Sequence, residues 1–278
     1  MTTAVSGFDW WRWRLVLTGG FIISVILVCA LFAPWIAPYS PYDLDVAFML
    51  QGPSPAHWLG TDELGRDTLS RAIYASKISM QVAFIAAGMG LGFGTLIGVT
   101  AAYFGGLVDL ALMRLMELMF SFPAILLAVV LMASLGTSIV NAMIAIGIVF
   151  IPGFARLARA SSEVVLREQY VESARAVGMS HGRIIFREIL PNIIAPLLVE
   201  AAVAFSYAIL LESALSFLGL GAQPPEPSWG NMLNIGRGFM AQAPWLSLVP
   251  GMAIFFTVLG FNFIGDGLRD VLDPHMRD

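Results

Sequence analysis

Two carboxylates, Glu200 and Glu212, sit in an otherwise apolar stretch, and a charge there is costly enough to demand a partner or water. Their spacing of twelve residues puts them on neighbouring faces of one helix, where either could accept the amino group of a small solute or make an interhelical contact. Asn141 lies in another apolar run, as an interhelical hydrogen-bond donor or a ligand on the same pathway. Arg114 and Glu117, three residues apart, suit a pair on one helix face. Other chemistry finds little support. His57, His181 and His275 stand far apart, without the spacing of a metal site. The only lysine, Lys77, is followed by Ile78 and not by Ser or Thr, so no phosphate-binding loop is present and ATP must be bound by another polypeptide. No HExxH and no nucleophile–base pair occurs. Asp62, Glu63, Arg66 and Asp67 crowd one polar segment, where folding a loop or meeting a partner protein is the expected role.

The elements that position these residues are set by composition. Of 278 residues, 58% are hydrophobic and 12% charged, about half the ~25% charge of soluble domains. This predicts an all-α membrane protein. Six spans are expected, at about Leu15–Ile36, Ile78–Phe104, Ala111–Leu135, Ile139–Phe154, Ile193–Leu215 and Trp245–Ile264. The first is too long for a cleavable signal core, and Val28 before Cys29 argues against a lipoprotein site. A lone cysteine permits no internal disulfide. With both termini in the cytoplasm, eleven basic residues fall inside and four outside, so that orientation is expected. The net charge of −4 gives no reason to expect nucleic acid. Gly88, Gly90, Gly92, Gly94 and Gly98 mark a close helix interface, within the chain or to a partner. Pro123, Pro152, Pro196 and Pro250 each punctuate a span and can kink it. Trp229 and Trp245 are expected at the membrane border or against a docked protein.

The longest inside loop, about Arg156–Asn192, predicts a helical hairpin. Its first helix covers Arg167–Val177, with Val171, Ala174 and Val177 on one apolar face and Gly178 as the left-handed stop. Ser180 is the expected N-cap of the second, which should stop before Pro191. Such a knuckle suits the groove of a soluble partner.

The run from Tyr170 through Gly178 to Leu190-Pro191-Asn192 resembles the EAA loop of ABC importer permeases. Glu172, Ala174 and Gly178 match the motif, Ser173 replaces its middle alanine, and Glu188 stands where many importers have isoleucine. Further stretches are similar to the second permease of dipeptide, oligopeptide and nickel importers: 57–74, 216–230, and the ending with Phe261-Asn262, Gly265-Asp266, Leu268-Arg269 and Asp273-Pro274. The resemblance implies a type I transmembrane domain over about 77–267, after an N-terminal segment 1–76 and before a cytoplasmic tail 268–278. It implies an inner-membrane, multi-pass subunit with no cofactor of its own. ATP and Mg would sit on two partner ATPase subunits. A different, homologous permease and an extracytoplasmic substrate-binding protein would complete the assembly in lipid. By the same resemblance Tyr170, Glu172, Ser173, Ala174, Arg175, Gly178, Leu190 and Pro191 couple to the ATPase. Peptides are the expected cargo, with nickel or its chelates, opines and glutathione as alternatives. An ion-coupled secondary transporter using Glu200 and Glu212 is the main rival, weakened by the lack of an internal repeat.

Overall fold

The computed structural model describes residues 10–272. Residues 1–9 and 273–278, with Asp273, Pro274, His275 and Arg277, and the side chain of Arg12 lie outside the described residues. The helices are α1 (Trp10–Leu31), α2 (Ala33–Ile36), α3 (Thr68–Phe104), α4 (Gly106–Phe120), α5 (Ala124–Leu135), α6 (Ile139–Val165), α7 (Gln169–Ala176), α8 (His181–Ile184), α9 (Leu190–Phe217), α10 (Trp229–Arg237) and α11 (Trp245–Leu272). Five helical runs are long and apolar enough to cross a bilayer, and the bent pair α4–α5 makes a sixth when taken as one span. The third expected span is therefore broken, by 93°. Ser121 closes α4, its hydroxyl donating to the Leu118 carbonyl at 2.7 Å, and Pro123 then caps α5. Pro152, Pro196 and Pro250 remain inside continuous helices.

Helix α3, 37 residues and about 55 Å long, is the central strut. It runs parallel to α6, and its glycines set that contact. A Cβ on Gly94 would meet Phe154 Cβ at 2.5 Å and the Ile151 carbonyl at 2.7 Å, and one on Gly98 would meet Ala158 Cβ at 2.8 Å. Backbones can approach this closely only without side chains, and lipid supplies no hydrophobic drive to replace the packing. Gly88 and Gly92 face the other way, with open space beyond. So the glycine interface lies within the subunit on the 90–94–98 face. Gly94→Val should destabilise the bundle by about 1–3 kcal/mol through overpacking, while Gly92→Ala should be near neutral. Thermal unfolding of the purified protein in detergent checks both.

At one end of the bundle the polar segment folds into a knot. Asp62 accepts from the backbone N–H of Leu64 and of Arg66 and from Arg66 Nε at 2.7 Å, and Arg71 Nε lies 3.4 Å away. Burial, with the Asp62 charge beside it, pushes the Glu63 carboxyl up. Asp67 caps α3 through the Ser70 N–H and sits 3.0 Å from His57 Nδ1. The folding role expected of this segment is what its contacts show. Trp229 differs from expectation: it is buried in the core, its Nε1 donating to the Ala72 carbonyl at 3.0 Å. The expected border position fails because this indole has a partner inside the protein. Trp245 Nε1 similarly donates to the Thr61 carbonyl.

Candidate functional site: a helical knuckle and the clefts beside it

The opposite end of α3 carries the hairpin. Helix α6 continues to Val165, three turns past the expected end of its span, so the connecting segment is shorter than 156–192. Val171 and Ala174 are buried and seat α7 on the bundle, as the spacing predicts. Val177, placed on the same face by sequence, is 79% exposed. It is the C-cap residue, where the helical period no longer governs direction. Gly178 has φ +77°, its N–H donates to the Arg175 carbonyl, and the Met179 N–H donates to the Ala174 carbonyl at 3.1 Å. These two bonds form a Schellman stop, with glycine in the left-handed position. Ser180 begins α8 but makes no side-chain cap.

The second arm does not stop before Pro191. Residues Ile185–Ile189 form a π-turn in which the Leu190 N–H reaches the Ile185 carbonyl, and Pro191 follows within the first turn of α9. The wider turn takes up the missing donor and ring bulk that would otherwise break the helix. From His181 to Phe217 the chain is one apolar helical run. Ile184 and Ile189 are buried beneath it.

The outward surface of the knuckle is amphipathic. Tyr170, Val177 and Phe186 are exposed large apolar groups, and Glu168, Glu172, Arg175, Arg183 and Arg187 carry charge. Ser173 donates to the Gln169 carbonyl at 2.8 Å, closing its own turn. Leu190 is half-buried and Pro191 exposed. The candidate coupling residues thus occupy one projecting feature, with Ala174 as its buried root. The sequence reading missed Tyr103, at the end of α3, whose hydroxyl lies 2.7 Å from His181 Nδ1 and whose ring centroid is 5.4 Å from the Arg175 guanidinium. An aromatic pair, Tyr103-Phe104, ahead of Gly105-Gly106 was the available signal.

The candidate pathway residues separate. Glu212 is fully buried among Ser79, Ser213 and Ser216, the last donating at 2.8 Å. Asn141 donates to the Leu135 and Gly136 carbonyls at 2.8 and 3.0 Å, clamping the turn between α5 and α6. Both side chains make their hydrogen bonds inside the subunit. Glu200 alone borders an open cleft, with Leu157, Pro196, Val199 and Arg269. Arg114 and Glu117 pair at 2.8 Å on the exposed side of α4, which Asp109 ties to Arg159 of α6. Arg156 lies 3.5 Å over the Phe120 ring, beside the break.

The family model described as the binding-protein-dependent transport system inner membrane component matches residues 94–278. A second, the N-terminal TM domain of oligopeptide transport permease C, matches 10–53. The chain is 47% identical over 264 residues to the dipeptide transport system permease protein of Alkalihalophilus pseudofirmus, covering 95% of this chain and 87% of that protein. It is 43% identical over 272 residues to the glutathione transport system permease protein of Escherichia coli O6:K15:H31, covering 96% and 90%. The Pectobacterium atrosepticum glutathione permease is 40% identical over 267 residues, covering 96% and 89%. With a helical bundle of five to six spans and family matches along most of its length, this chain belongs to the binding-protein-dependent inner-membrane components, the type I permease subunits of bacterial ABC importers.

Proposed function

We propose that this subunit imports short peptides, and that its knuckle receives the work of ATP hydrolysis from a separate ATPase. The carrying observation is mechanical. A hairpin rooted by Val171, Ala174, Ile184 and Ile189 leaves Tyr170, Val177 and Phe186 uncovered, and its second arm is continuous with the span that ends at Phe217. Exposed apolar anchors ringed by charge fit a groove on a soluble partner. Glu172 and Arg175 supply the charged rim, Ser173 keeps the turn compact, and Gly178 sets the angle between the arms.

In this reading both termini and the knuckle face the cytoplasm, and the knot around Asp62 faces outward toward a substrate-binding protein. Val16 packs on Gly267, and Arg269 and Leu272 share a cleft with Leu157, Ala195 and Pro196, so the start of α1 and the end of α11 lie at the knuckle end of the bundle, which supports that orientation. Two ATPase subunits, with ATP and Mg, and a second, different permease complete the machine. Closure of the ATPases would rock the knuckle and α9 together and switch a central cavity between its two sides. The break at Phe122-Pro123 offers a flexible point for such a gate, and Glu200 is a group that could meet a peptide amino terminus on the way through. Peptide cargo rests on the dipeptide relative. Glutathione, named by two other relatives, is itself a short peptide and is the second reading.

Tagging this chain in its native membrane should retrieve an ATPase. Glu172→Arg, which reverses one rim charge without touching the buried root, should lower ATPase retention by roughly tenfold, the effect of about 1.4 kcal/mol at an interface. Undiminished retention would remove the knuckle from the contact. Competition of labelled dipeptide uptake by glutathione and by longer peptides then ranks the cargo.

A further inference from the structure

We infer that Tyr103 and His181 form a latch that ties the knuckle directly to the end of α3, beside its continuity with α9. This rests on the coupling reading above and names positioning residues for it. The knuckle is joined to the bundle through the chain at α6 and α9. On the α3 side Ile185 and Phe186 share an apolar cleft with Leu96, Val99 and Thr100, and the polar contact is made by one aromatic residue. The Tyr103 hydroxyl lies 2.7 Å from Nδ1 of His181, the first residue of α8. The two rings meet edge to face with centroids 5.5 Å apart, and Phe104 backs the imidazole at 6.1 Å. On its other side the Tyr103 ring faces the Arg175 guanidinium of α7, 5.4 Å away. One side chain at the end of α3 therefore touches both arms of the hairpin, either side of the Gly178 turn.

The position of Tyr103 on α3 gives the contact its reach. The helix is unbroken from Thr68 to Phe104, and at its far end Asp67 and Arg71 tie it into the buried ionic knot. Along its length Gly90, Gly94 and Gly98 lock it against α6 at backbone distance. A push on Tyr103 is therefore transmitted along a stiff rod to the segment that, in the proposed orientation, faces the binding protein. Without the latch, the hairpin would act on α3 only through the packing of α3 against α6 and α9, and less of each ATP would be converted into transport.

The test measures substrate delivered per ATP hydrolysed by the complete importer in proteoliposomes with its binding protein. A role in folding alone would lower the amount of complex, and transport and hydrolysis together, leaving that ratio unchanged. Tyr103→Phe removes only the hydroxyl and should lower the ratio roughly fivefold, the weight of one net side-chain hydrogen bond. Tyr103→Ala, which also loses the ring contacts with Arg175 and His181, should lower it further. His181→Phe should match Tyr103→Phe, and the double variant should be no worse than either alone, because both delete one shared bond. If both Tyr103 variants keep the wild-type ratio while Gly178→Pro uncouples, the latch is wrong and the knuckle reading stands. If Gly178→Pro also keeps the wild-type ratio, both fall.

Discussion

Gly178→Pro should reduce ATP-driven uptake to background while the subunit remains folded in the membrane. Proline holds φ near −65°, and Gly178 sits at +77°. The substitution also deletes the N–H that donates to the Arg175 carbonyl at 3.0 Å. Both features of the Schellman stop are lost, so the second arm must leave the first at a different angle. A Cβ at this position meets nothing within 4 Å, so the damage stays in the turn and does not spread into the bundle. Gly178→Ala separates geometry from bulk. It fits the space and pays the left-handed penalty of about 1–2 kcal/mol, which predicts partial uptake. Labelled-peptide uptake by inverted controls and right-side-out vesicles, with membrane levels measured by immunoblot, checks the series. Normal uptake by the proline variant would sink the claim that the angle of the knuckle couples ATP use to transport.

Asp62→Ala should cost the folded subunit about 3–5 kcal/mol, the largest stability loss expected here, because it strands buried cations. Asp62 is 5% exposed and Arg66 also 5%. Removing the carboxylate leaves the Arg66 and Arg71 guanidiniums together in the interior, with Glu63 as the carboxylate still paired to Arg66. It also orphans the Leu64 and Arg66 backbone donors that shape the loop before α3. The contrast is Glu117→Ala, whose partner Arg114 is 71% exposed and returns to solvent, at about 0–1 kcal/mol. Unfolding midpoints of the two variants in detergent check the difference. Equal, small shifts would mean the knot is solvated and does not fasten α3.

Much of the candidate site could be located from the chain alone, since its features are local. Gly178 ends α7 as the sequence predicts, because a left-handed stop needs only one residue and its neighbours. Val171 and Ala174 fall on the buried face because they share a helical period. Val177 escapes that face because it is the cap residue, and the period holds only inside the helix. Pro191 was expected to end a helix by a local rule, and a π-turn immediately before it lets the helix continue. The extension of α6 to Val165 was hidden because charged residues past Phe154 signal the end of an apolar window, not the end of a helix.

Length and apolar content are properties of the linear chain, and they determine that this is a multi-span membrane protein. The glycine spacing in α3 likewise announces a close helix contact. Which face of each span is buried is a different matter. In a nearly uniform apolar helix hydropathy does not distinguish a neighbour from lipid, because both are apolar. Only the packed bundle brings Ser79 to Glu212, 133 residues apart, hides Trp229 under Ala72, and sets Tyr103 against His181 across 78 residues. Those pairings depend on how helices cross in space, and the order of residues along one helix carries no record of what lies beside it.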